Sequence, residues 1–93
     1  MREKTIENQL TRAVKRMGGV AVKFVSPSLA GIPDRLLLLP CGHIAFAELK
    51  APNKPLRPLQ VKRKSQLEAL GFSVYIIDSL EQIGGVLDEI SAP

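Results

Sequence analysis

Tryptophan is absent from this 93-residue chain, and cysteine and histidine occur once each, as Cys41 and His43. A single cysteine excludes an internal disulfide and any multi-cysteine zinc cluster. No apolar run approaches the roughly 18 to 20 residues of a membrane span, so a transmembrane helix is excluded and no membrane partner is expected. The opening MREKTIENQ is charged and has no apolar signal-peptide core, which predicts a cytoplasmic protein. With three Phe and one Tyr, the chain shows no aromatic-rich motif of the kind that reads unstacked bases. No repeat, low-complexity tract or linker appears, and residues 1–93 read as one domain. Positive charge is also missing from one stretch. All thirteen Lys and Arg lie at or before Lys64, whereas residues 65–93 carry five acids and no cation. Such asymmetry predicts a basic surface for a polyanion and an acidic far side.

What is present is apolar periodicity. Ile6, Leu10, Ala13, Val14 and Met17 recur at helical spacing, predicting a helix from Thr5, as its cap, to about Met17. Glu7 belongs on or beside the buried stripe. Val20–Val25, Leu36–Leu39 and His43–Leu49 read as strands, the last two joined by a turn at Pro40-Cys41-Gly42. Pro58 opens a helix to about Leu70, with Leu59, Val61, Leu67 and Leu70 for packing and Gly71 as its end. Phe72–Asp78 is a fourth strand, and Ser79 caps a last helix with an apolar stripe of Leu80, Ile83, Leu87 and Ile90. The order is αβββαβα. The long connection between the third and fourth strands permits a right-handed crossover, and so an α/β fold with a mixed central sheet flanked by helices.

Chemistry concentrates in Gly31–Lys50, GIPDRLLLLPCGHIAFAELK. Asp34 stands at the mouth of one apolar strand. Glu48 and Lys50, two apart at the end of the next, project from the same face. Charges beside such runs are costly unless partnered, so the three are read as a site. Paired carboxylates are hard oxygen ligands suited to Mg²⁺ or Mn²⁺. With a lysine beside them they fit metal-assisted phosphodiester hydrolysis. Lys54, Arg57, Lys62, Arg63 and Lys64 follow directly and could hold flanking phosphates. By contrast, Cys41 reads as a turn residue and His43 as the surface start of a strand. Gly84-Gly85 is no phosphate loop, because no lysine follows it.

Pro33-Asp34, thirteen residues, then Glu48-Leu49-Lys50 matches the PD-(D/E)-x-K nuclease signature. The wider pattern GIPDRLLLL…AFAELKAPN…LRPLQ resembles the VRR-Nuc family, over nearly the whole chain. That resemblance implies a restriction-endonuclease-like core in a bacterial or phage-infected cell, and Mg²⁺- or Mn²⁺-dependent cleavage without a small-molecule cofactor. It makes Asp34, Glu48, the Leu49 carbonyl and Glu7 the metal ligands, with Glu3 as the alternative acid of the first helix. Lys50 becomes the catalytic lysine, and Gln60 a contact to substrate or water. It further implies a homodimer acting on branched DNA such as a Holliday junction. Apolar residues on the last helix and around Leu29 are the candidates for the dimer contact. The competing expectations are a non-catalytic nucleic-acid-binding module, or the same chemistry on flap or single-stranded DNA or on RNA.

Overall fold

A computed structural model describes residues 2–93 and has the element order αβββαβα. Its first helix, α1 (Glu3–Arg16), forms because Ile6, Leu10 and Val14 recur on one face and bury completely. Each such side chain contributes about 1.5–3 kcal/mol on leaving water. The helix starts earlier than the sequence suggests: Thr5 lies inside it and Arg2 holds the cap position. Glu3 in the first turn suits the positive end of the helix dipole. The helix stops at Gly18-Gly19, where a Cβ on Gly19 would collide with the Leu38 carbonyl oxygen.

Strands β1 (Val20–Lys23), β2 (Arg35–Leu39), β3 (His43–Leu49) and β4 (Val74–Ile77) make one sheet in that order. The first three run antiparallel, and β4 joins β3 in parallel after the crossover helix α2 (Pro58–Ala69). Two strands are shorter than expected. Beyond Lys23 only the Phe24 N–H continues the ladder, donating to the Asp34 carbonyl oxygen at 2.8 Å. The last helix, α3 (Gln82–Ser91), begins later than Ser79: Glu81 holds the cap position, and no side chain caps the helix. Gln82 Oε1 instead ties down the preceding turn, accepting from the backbone N–H groups of Asp78 and Ser79 and from the Ser79 hydroxyl.

Strand alternation divides the sheet into two unlike faces. Leu37, Leu39, Ala45, Ala47, Leu49 and Ile77 point to one side and meet the stripes of α1 and α3 there. Ile83, Leu87 and Ile90 are buried in this core, so the stripe of the last helix is spent internally and offers nothing to a dimer. The opposite face receives α2, which packs chiefly on β4. Of the four residues expected to pack from this helix only Leu67 does so, at 7% exposure; Leu70 is 67% exposed, and Leu59 and Val61 are also open. One short helix cannot cover four strands. Val20, Val22, Leu38 and Ile44 therefore stay exposed on that side. No helix is long and apolar enough to cross a membrane.

Candidate active site

The partly covered α2 face is where the acids converge. Arg35 pairs with Ala47 across β2 and β3, so one step further places Asp34 opposite Glu48 at the strand ends. A Leu49 backbone N–H donates to Asp34 Oδ1 at 3.3 Å, which fixes the first carboxylate. Glu48 is fixed from the helix side: Gln60 Nε2 donates to its Oε2 at 3.1 Å. At its other end Gln60 Oε1 accepts the Arg57 N–H at 2.9 Å, closing the first turn of α2 and leaving the amide one orientation. Lys50 Nζ lies 3.8 Å from the same Glu48 oxygen, and both residues are only 6% exposed. These contacts engage Asp34 Oδ1 and Glu48 Oε2, and the Asp34 backbone is a further hydrogen-bond partner of the Glu48 carboxylate.

Gly31 explains how a strand mouth and a helix start so far apart in sequence come together. Its φ is +81°, and a Cβ there would lie 2.7 Å from the Leu59 carbonyl oxygen. Only glycine lets the loop before Asp34 press onto α2 in this way. Arg63 closes the same junction, its Nε donating to the Ala30 carbonyl oxygen at 2.8 Å.

Burial pushes the Glu48 carboxyl up to about 7, with the Asp34 carboxylate adding to the rise and Lys50 opposing it. Asp34 is raised as well, first by burial and then by the charges of Glu3 and Glu7, against the Leu49 hydrogen bond and Arg35. A buried and a half-buried acid that resist ionisation together form a pair short of positive charge. A divalent cation would supply it. The donor set fits a hard ion: two carboxylates beside the Leu49 backbone. Among the described residues no three His, Cys, Asp or Glu side chains cluster closely enough to hold an ion by themselves.

Glu7 stands apart from this cluster. Its Oε1 is 3.1 Å from Arg35 Nη2 and 3.2 Å from Lys4 Nζ. Burial works to raise its carboxyl, but the Lys4 hydrogen bond and the charges of Arg35, Lys4 and Lys23 outweigh it and the net shift is downward. Glu3, one turn earlier on α1, raises both Asp34 and Glu48 by its charge. Asp34, Glu48, Lys50 and Gln60 are thus together, while Glu7 is held to one side. Of the five cations that follow, Arg63 is tied to Ala30 and Gln66, and Lys64 to Glu68. Lys54, Arg57 and Lys62 make no ion pair among the described residues. Sequence reasoning passed over Arg35, although its place next to Asp34 on a strand points it to the opposite face, toward α1.

No family model matches the chain. It is 42% identical over 91 residues to "Putative nuclease p44" of Acyrthosiphon pisum secondary endosymbiont phage 1, an alignment covering 98% of this chain and 97% of that protein. Among solved structures it resembles a VRR_NUC domain with a TM-score of 0.85 and 25% identity, over 92% of this chain and 94% of the other. Likeness over nearly the full length of both proteins, with the PD…ELK residues converging at the strand ends, leads to one assignment: the chain belongs to the VRR-Nuc family of nucleases.

Proposed function

We propose that this nuclease is a divalent-metal-dependent endonuclease selective for branched DNA. The observation that carries the reading is the convergence of Asp34, Glu48 and Lys50 at the ends of two neighbouring strands. Asp34, Glu48 and the Leu49 carbonyl would hold Mg²⁺ or Mn²⁺, with Glu7 completing the acidic set from α1. When bound, the ion supplies a water of lowered pKa and neutralises charge on the phosphate. Gln60 keeps Glu48 aimed while its amide also closes the helix start. The Lys50 ammonium stands where it can orient the attacking water or offset charge that develops on the phosphate. Lys54, Arg57 and Lys62, free of ion pairs among the described residues, hold phosphates flanking the cut.

The working unit is a homodimer. Paired incisions in a two-fold junction require two sites, and contiguous apolar surface such as Val20, Val22, Leu38 and Ile44 favours association. The test is a cleavage panel of duplex, flap, single-strand, four-way-junction and RNA substrates with Mg²⁺ or Mn²⁺, alongside Glu48→Ala and Lys50→Ala. Junctions should be cut fastest, and neither variant should cut. Binding that tracks salt but never leads to cleavage would leave only a nucleic-acid-binding module. A single species of 10.1 kDa by light scattering would overturn the dimer.

A further inference from the structure

Residues 24–34 join β1 to β2 without regular structure and end on Asp34. Neighbouring antiparallel strands need only a tight hairpin turn, yet this loop reaches across to α2. From Val25 to Pro33 it receives one hydrogen bond from outside itself among the described residues: Arg63 Nε donates to the Ala30 carbonyl oxygen at 2.8 Å. Nη1 of the same guanidinium donates to Gln66 Oε1 at 2.7 Å, further along the helix, so the fork is held at two points. Gly31, next to Ala30, presses against the Leu59 carbonyl where a Cβ would not fit. Pro33 is buried, and its ring-fixed φ carries the chain stiffly from that junction to Asp34. Gln60 and Arg63, three residues apart, share one face of α2. Gln60 Nε2 meets Glu48 Oε2 at 3.1 Å. One turn of helix therefore holds both acids, Glu48 directly and Asp34 through its loop.

We propose that Arg63 is a positioning residue for the nuclease reaction, pinning the loop that ends in Asp34 to the helix that holds Glu48 and so setting the spacing of the two carboxylates. The inference rests on the metal-site reading given above. It takes Arg63 out of the set of cations that contact phosphate, because two of its arms are committed to protein oxygens. A charged donor makes a stronger hydrogen bond than a neutral one. The planar fork meets Ala30 and Gln66 in one orientation, which a lysine ammonium on a flexible stem does not reproduce. Ligands of a small hard ion tolerate little change in separation. A loop that drifts from α2 thus weakens the site before it weakens the fold.

The test compares Arg63→Met, Arg63→Gln, Arg63→Lys and Gly31→Ala with wild type. The readouts are Mn²⁺ affinity without DNA, four-way-junction affinity in EDTA over a salt series, kcat and melting temperature. Arg63→Met should weaken Mn²⁺ binding about 10-fold or more and lower kcat by up to about 100-fold, with junction affinity and its salt slope unchanged. Arg63→Gln carries the same expectation and decides the matter if Arg63→Met does not fold. Arg63→Lys should recover part of the loss. Gly31→Ala forces the same junction apart from the loop side, and combined with Arg63→Met it should be no worse than the poorer single. Wild-type Mn²⁺ affinity in a folded Arg63→Met or Arg63→Gln would overturn the proposal. A fall in melting temperature alone would then leave Arg63 a structural tie, and a salt slope reduced by about 1 would make it a phosphate contact. Glu48→Ala separates the two failures: if it binds Mn²⁺ and cleaves like wild type, the metal-site reading itself is wrong.

Discussion

The two faces of the sheet follow opposite rules. On the α1 and α3 side, Leu37, Ala47, Leu49 and Ile77 are sealed among apolar stripes, and Arg35 has its ion-pair partner in Glu7. On the α2 side the cover is partial, and Glu48 is buried beside Asp34 with its carboxyl pushed up to about 7. The first face gathers apolar contacts that favour folding. The second keeps a like-charged pair that opposes it until a cation or proton arrives. Stability and activity should therefore be separable by face.

Glu48→Gln should separate them most sharply. It keeps the size of the side chain but removes its charge, and should lower cleavage by about 10²–10³-fold or more. The melting temperature at neutral pH should hold or rise, because a strained ionisation has gone; a large fall would mean that Glu48 belongs to the stabilising face. Next, Leu37→Ala should cost about 2–5 kcal/mol in denaturant unfolding, since its side chain is fully buried. Ile44→Ala, two residues from Phe46 on the open face and 44% exposed, should cost under about 1 kcal/mol in the monomer. Equal costs would erase the contrast.

The third outcome concerns pH. The Glu48 carboxyl sits at about 7 in the folded chain against an ordinary 4.5, so between those values the folded state binds more protons than the unfolded one. Stability of the metal-free protein should therefore fall as pH rises through that window, by about 3 kcal/mol if Glu48 acts alone. Asp34, also raised, acts in the same direction. Melts in EDTA at pH 5 and pH 7.5 read this directly, and Mg²⁺ should raise the melting temperature more at pH 7.5. Glu48→Gln should flatten the profile, and an unchanged slope would remove Glu48 as its source.

Much of the plan was legible from local pattern. Ile6, Leu10 and Val14 mark a helix, alternation through Ile44, Phe46 and Glu48 marks a strand, and Pro58 and Gly71 bracket α2. The elements missed were those set by neighbours. Val61 and Leu70 look like core but stay exposed, and Leu59 is met only by the Gly31 loop. Ser79 looks like a cap, but its N–H and hydroxyl are drawn to Gln82 Oε1 in a turn that delays the helix to Gln82. In the site, Asp34, Glu48 and Lys50 announce themselves by spacing. Gln60 is brought to Glu48 only because Gly31 permits the loop to lie against Leu59.

The sequence by itself determined the order of elements, the pairing of two carboxylates with a lysine, and the family pattern they belong to, because these depend on spacing along a strand and on residue type. The tertiary structure decided which oxygens of those acids are engaged, that Arg35 and Lys4 meet Glu7, and that one sheet face stays partly bare. Those outcomes depend on groups distant in the chain meeting in space, which no local periodicity encodes.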